Sequence, residues 1–471
     1  MSAVVLTAFC RIVAGGEREI ESESTADRRD LSLSVEESGS IHTTGDKKPM
    51  RQAGAAVRCT SAMSPSAHHI HSALSMHHFH VASVLSCCCP TTAARAAAAV
   101  HMRIIAPPKV TKETGVKYNF PKVELHLHLD GSIRHETILD LAEKKGIDLQ
   151  GAKTVEDVKK LVVSHTPACL SKVLSAFAIF LPCITGDADA IERVAYELCE
   201  DQSKNGVIYF EARYSPHLLS STANHSFSPE ELQGKLCPKG VIEAVYRGLK
   251  RGEADFEVKS RSILCCIRGF EDWNHEVLDL ATNMKDYGVV AIDVAGCAHG
   301  ADEQYEPSVI AVFQEAAKRG IHRTVHAGES GGPQEVCNAI EKMKAERIGH
   351  GYRLVQDEAA YQKYAVKNRS IHYEACPYSS IMTGAVPLCW ENHPIRRWSK
   401  DGVNFSLSTD DPTCFDNSML SEFTLAQDEL GFSKRQLWFA TYNAASSAFL
   451  PEDEHEQLLL TILDAEVPLD V

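Results

Sequence analysis

The run Val123-Glu-Leu-His-Leu-His-Leu-Asp-Gly131 alternates as a β-strand does. His126 and His128 therefore project from one face, and Leu125, Leu127 and Leu129 from the other. Two imidazoles one strand period apart can hold a metal ion from one side. An isolated His-x-His fits a half-buried structural strand equally well, so the rest of the chain must decide. Later apolar runs also end in polar residues: Thr324-Val-His326-Ala-Gly-Glu329, Gly349-His350-Gly351 and Ser408-Thr-Asp410-Asp411-Pro412. His126, His128, His326 and Asp410 make a mixed nitrogen and oxygen donor set that suits one Zn²⁺ per chain, with a water completing the shell. A zinc ion with one exchangeable position lowers the pKa of that water to about 7, which points to hydrolytic addition at an electrophilic carbon.

Further groups beside these ligands can work on protons. Glu329 follows His326 by three residues, with Gly328 between them. Burial there would raise its pKa and let it donate a proton to a ring nitrogen. His350, between two glycines, could hold and deprotonate the attacking water. Asp411 adjoins the ligand Asp410 and could share a proton with a substrate heteroatom, the metal's charge relieving the repulsion between the two carboxylates.

These residues need elements that bring them to one place. From about Tyr118 the chain alternates apolar runs with amphipathic helical patterns. The runs are Val123–Leu129, Val207–Ser215, Ser262–Arg268, Val289–Gly296, His322–Glu329, Arg347–Gly351, Ser370–Pro377 and Asn404–Asp411. Helices are predicted over Glu136–Lys145, Ala188–Lys204, Pro229–Arg251, His275–Asp286, Ser308–Arg319 and Pro333–Lys344. Strands alternating with helices call for a parallel sheet, and eight such units suit a (β/α)₈ barrel of the TIM type. A barrel places functional residues at the C-terminal ends of several strands, where all the residues named above fall.

Residues 1–116 differ in kind. Ser, Ala, Thr and His dominate, a histidine-rich tract spans His68–His80, and no helical or strand period is sustained. This segment is read as a disordered extension, and 117–471 as the barrel domain. The chain's net charge of −15 argues against a nucleic-acid or anionic membrane partner. No run of about 18 apolar residues suggests a membrane span. Sixteen cysteines without framework spacing read as free thiols in a reducing compartment, hence the cytoplasm.

The stretches Val123–Ser132, His326-Ala-Gly-Glu329, Ile348-Gly-His350-Gly351, Cys376-Pro-Tyr-Ser-Ser380 and Ser408–Pro412 resemble, in order and spacing, the adenosine deaminase family of zinc aminohydrolases. The similarity is read from about Lys117 to about Glu454. The resemblance implies attack of hydroxide on C6 of adenosine or 2′-deoxyadenosine, with Glu329 protonating N1 and His350 handling the water. It further implies that Asp411 meets N7, the Gly296 N–H meets N3, and Asp130 binds the ribose 5′-hydroxyl. His128 counts among the substrate contacts as well as the ligands. An apolar gate falls on Leu174 and Phe177, within one helix expected over Leu170–Leu181. The family default is a monomer, and some members also occur at the cell surface with a protein partner. Arg213 and Arg268 are read as structural ion-pair partners, which favours a nucleoside over a nucleotide such as AMP. A surface binding protein is a further alternative, disfavoured by the cysteines and by the intact set of site residues. Cys297, where family members often carry an acid, marks the loop Cys297–Pro307 as locally different. The C-terminal stretch Leu450–Val471 is expected to depart from the family's last helix.

Overall fold

The structure is a computed structural model that describes residues 106–222, 234–297 and 304–465. Its strands are β1 Lys122–His128, β2 Val207–Tyr214, β3 Lys259–Ile267, β4 Val289–Ala295, β5 His322–Ala327, β6 Arg347–His350, β7 His372–Ala375 and β8 Phe405–Leu407. They pair in chain order, all parallel, into one eight-stranded sheet. A bridge between Leu127 and Asp410 closes it. There the His128 N–H donates to the Asp410 carbonyl at 2.9 Å, and the Asp410 N–H donates to the His126 carbonyl at 3.1 Å. The seam of the barrel is thus built from three of the expected metal ligands. Each predicted run contains or overlaps one strand, and helices fill the connections, as a TIM-type barrel requires.

Several helices match their sequence signals closely. Ala188–Lys204 starts where predicted, its Asp187 cap accepting the Ala190 N–H at 3.0 Å. The helix predicted from Pro229 begins at Pro238 instead and runs to Phe256. Pro238 is the better start, because its missing N–H is harmless in a first turn. Residues 223–233, including Pro229, lie outside the described residues.

A short helix, Lys112–Lys117, capped reciprocally by Thr111 and Thr114, spans position 116; the reading of residues 1–105 lies outside the described residues. A further expectation is corrected. The single helix expected over Leu170–Leu181 is two short ones, Leu170–Leu174 and Phe177–Phe180, followed by a tight turn at Leu181–Cys183. Ser175 turns its hydroxyl onto the Lys172 carbonyl at 2.6 Å, and the Ala176 N–H bonds three residues back to Val173 at 3.0 Å. These local bonds tighten the backbone and interrupt the helix, and Pro182 removes a donor further on.

The barrel interior holds charge where stacked aliphatic layers are usual. Arg213 on β2 donates to Asp293 on β4 at 2.9 Å and to Glu374 on β7 at 2.7 Å. Arg347 on β6 bonds the other oxygen of Glu374 at 2.7 Å and Glu211 at 2.6 Å. All five side chains are fully buried. Each charge has a partner, which is the condition for burying such groups. Among the described residues no helix is long and apolar enough to cross a membrane. All eleven cysteines there are free thiols.

Candidate metal and catalytic centre

At the C-terminal end of the barrel the expected residues converge. His126 lies in β1, His128 ends it, His326 lies in β5 and His350 ends β6. Glu329 stands two residues past β5, and Asp410 and Asp411 stand past β8, so these three carboxylates sit on loops and not on the strands where the apolar runs put them. The loops begin once the ladder partners run out, as at the β5–β6 pairing that ends with Ala327 and His350.

The donor atoms face one another. His126 Nε2 lies 3.2 Å and His128 Nε2 lies 3.5 Å from Asp410 Oδ1. The Nε2 atoms of His128 and His326 are 3.3 Å apart. Neighbouring donors each about 2.0–2.1 Å from one ion stand roughly 3 Å from each other, so these spacings fit an ion of zinc's size. His126, His326, His350 and Asp410 also form one buried group within 4.8 Å, with His128, Asp410 and Asp411 forming a second that shares Asp410.

The surroundings prepare the imidazoles for an ion. Glu374 Oε2 is 2.6 Å from His126 Nδ1 and takes that proton, while His126 Nε2 is buried without a hydrogen bond. Its lone pair therefore points bare into the centre. Asp293 Oδ2 stands 2.9 Å from His326 Nδ1, a close charge contact on the far side of that ring. Ser379, on the helix Pro377–Met382, donates to Asp410 Oδ2 at 2.7 Å and fixes that carboxylate. Nothing in the sequence alone assigns Asp293, Glu374 or Ser379 to this centre. A charged residue inside a barrel strand, as in His372-Tyr-Glu374-Ala375, was the available signal.

Titration follows from burial and charge. Burial pushes Glu329 up to about 8, and the Asp410 charge adds to it. Burial raises Asp411 well above the carboxylate range, with the charges of Asp410, Asp130 and Glu329 behind it. Burial alone lifts Asp130 to about 7 against two backbone hydrogen bonds. Burial opposes ionisation of Asp410 too, but hydrogen bonding to His126 and the charges of His126, His350 and His128 hold it well below its ordinary value. Burial depresses His128, His326 and His350, keeping them neutral and able to ligate or accept a proton. His126 is the exception: burial and Arg213 push it down, yet Asp410 and Glu374 raise it overall. A divalent cation at the centre would oppose the upward shifts of the carboxyls.

Two glycines make the crowding possible. A Cβ on Gly131 would lie 1.8 Å from Asp411 Oδ1, and one on Gly349 would lie 2.7 Å from His126 Cε1. The residues expected to touch substrate, His128, Asp130, Leu174, Phe177, Gly296 and Asp411, all border one cavity, together with Glu329 and His350. The space in and around this cleft, counted out into open solvent, is about 660 Å³. Phe180, third in the expected apolar stripe, is fully buried and packs 4.9 Å from the Phe177 ring. Arg213 is committed to Asp293 and Glu374, and Arg268 to Glu335 at 3.0 Å and to the His326 carbonyl at 2.7 Å. Cys297 follows Gly296 and is half-buried; residues 298–303 of its loop lie outside the described residues.

The family model for adenosine deaminase matches residues 121–465. The chain belongs to the adenosine deaminase family. The adenosine deaminase of Danio rerio is 42% identical over 348 residues, covering 74% of this chain and 96% of that protein. The adenosine deaminase of Xenopus tropicalis is 43% identical over 348 residues, with the same coverage. Among solved structures, the N6-methyl-AMP deaminase of Arabidopsis thaliana superposes with a TM-score of 0.61 at 26% identity, covering 75% of this chain and 98% of that one. The adenosine deaminase match runs past Glu454, where the sequence reading ended it, and takes in the helix Glu452–Asp464. That helix is anchored to the rest of the barrel domain. Arg261 donates to Glu454 at 2.6 Å, His455 Nε2 meets the Ala445 carbonyl at 2.8 Å, and Leu458 and Ile462 are buried.

Proposed function

We propose that this chain hydrolytically deaminates adenosine and 2′-deoxyadenosine to inosine and 2′-deoxyinosine, releasing ammonia, with one zinc ion held by His126, His128, His326 and Asp410. The observation that carries the reading is the close approach of His126 and His128 to Asp410 and of His128 to His326, with His128, His326 and Asp410 bordering the same cavity as Glu329 and His350. Family membership, through relatives named adenosine deaminase, supports the same substrate. The reading extends to a cytoplasmic monomer serving purine nucleoside salvage.

A zinc ion held by this set would supply Lewis acidity and a water of lowered pKa. The protein's own groups do the rest. Glu329, kept protonated by burial, gives its proton to N1 and makes C6 electrophilic. His350 Nε2, 3.7 Å from Glu329 Oε2 and 3.9 Å from Asp410 Oδ2, orients the water and takes its proton as oxygen bonds to C6. That proton passes to the amino group, which leaves as ammonia, while the C6 hydroxyl gives up its remaining proton to restore Glu329 and leave the ring as the 6-oxo product. Asp411, raised by burial, is protonated and can donate to N7, while the Gly296 N–H meets N3. Leu174 and Phe177 cover the base and keep bulk water out. Asp130 Oδ1 is buried without a partner, free to accept the ribose 5′-hydroxyl.

A nucleotide substrate is disfavoured because no arginine or lysine lines the cavity among the described residues, and Asp130 stands where the sugar's 5′ end would go. Comparing adenosine with AMP tests this. The kcat/KM for adenosine should exceed that for AMP by at least about 10³, the scale on which a site with a buried unpaired acceptor rejects the wrong group. Equal rates, or a preference for AMP, would overturn the nucleoside assignment.

A further inference from the structure

Two residues before the first metal ligand, β1 carries Glu124, a fully buried carboxylate that none of the roles above uses. Its Oε1 accepts two hydrogen bonds from Thr409, the backbone N–H at 2.7 Å and the hydroxyl at 2.6 Å. Its Oε2 accepts from Gln202 Nε2 at 2.7 Å, on the helix Ala188–Lys204. The other side of Thr409 is also held. Asn417 donates to the Thr409 carbonyl at 3.0 Å and to Glu422 Oε1 at 2.7 Å, and Glu422 Oε2 accepts the Tyr378 N–H at 3.1 Å. Thr409 is thus fixed at its amide, its hydroxyl and its carbonyl, all below the protein surface.

Thr409 precedes Asp410, whose φ of +70° is left-handed backbone that a non-glycine residue adopts only when its surroundings impose it. Asp410 at once closes the barrel against β1 and offers its carboxylate to the metal centre. The grip on Thr409 comes from the strand that supplies His126 and His128, so one rigid element sets both halves of the donor set.

We propose that Glu124 is a positioning residue for Asp410: by holding the Thr409 amide and hydroxyl it keeps the strained 409–411 turn in register with β1 and sets how tightly the centre retains its ion. This rests on the zinc reading above. A buried carboxylate serving the fold alone would lower stability equally with and without metal. A positioning role moves metal affinity itself.

The test uses the full chain and zinc, with affinity measured by competition against a chromophoric chelator and melting followed with and without zinc. Glu124→Ala should bind zinc at least tenfold more weakly and gain less melting temperature from added zinc than wild type. Glu124→Gln, whose amide oxygen still accepts from Thr409, should recover most of that affinity. Thr409→Val, which removes only the hydroxyl arm, should lose several-fold, and adding it to Glu124→Ala should cost little more. Wild-type zinc affinity in a folded Glu124→Ala protein would overturn the proposal. If Glu124→Ala does not fold, Thr409→Val decides: unchanged affinity overturns the proposal and a several-fold loss supports it. A wild-type chain that takes up no zinc would sink the metal reading, and this inference with it.

Discussion

Glu329 and Asp410 are carboxylates on one cavity wall held in opposite protonation states: burial lifts the first to about 8, while its histidine neighbours keep the second ionised. Such a divergence separates a proton donor from a ligand. Glu329→Gln keeps the shape and removes the transferable proton. It should leave zinc content and melting unchanged while kcat falls about 10²–10⁴-fold, the usual worth of one general acid. Wild-type turnover in that variant would remove Glu329 from the reaction. Asp130 offers a different readout, because its unpartnered Oδ1 lies among the cavity residues and belongs to no ligand set. Asp130→Ala should raise KM for adenosine by about tenfold or more, with metal affinity preserved, as loss of a binding contact does. Metal loss in step with the KM change would assign Asp130 to the scaffold instead.

At the scale of elements, the strands decide what the loops can present, and β7 shows how. His372 at its start has Nδ1 2.9 Å from Asn404 Oδ1 and Nε2 2.8 Å from the Ser406 hydroxyl. Asn404 spends its amide N–H groups on Arg369 and Ser447, so its oxygen accepts from Nδ1, and Nε2 accepts from Ser406. The ring is neutral by construction, and burial pushes its pKa down to about 4. The unfolded chain then binds a proton that the folded chain refuses, so stability falls as pH drops from about 6.5 toward 4, by up to about 3 kcal/mol. The urea midpoint should fall between pH 7 and 5, and His372→Gln should flatten that slope; an equal slope in the variant would contradict the account. The barrel itself was legible, because period-two runs such as Val123–Leu129 separated by helical patterns leave little choice of topology. The His126-x-His128 pair was visible as one short motif, and the structure brings both rings beside Asp410. Asp293, Glu374 and Ser379 were not legible, because their meaning lies in contacts across strands distant in sequence. The break at Ser175 escaped because a single side-chain hydrogen bond overrode an apolar spacing that reads as one helix.

For the whole molecule, the cavity gathers Asp130, Glu329, Asp410 and Asp411 in a chain of net charge −15. Buried carboxyls gathered so closely need protons or a cation to offset their repulsion, and His126, His128 and His326 beside Asp410 make a donor set that suits a cation. The barrel's buried ion pairs hold this arrangement rigid from below, so binding an ion need not reshape it. The metal is therefore expected to govern activity more than fold. The most direct measurement follows the ultraviolet change from adenosine to inosine with the full chain as purified, after stripping by chelator, and after zinc is returned. Conversion should vanish on stripping and return with about one zinc per chain. A folded chain carrying zinc at that ratio and leaving adenosine unchanged would contradict the account.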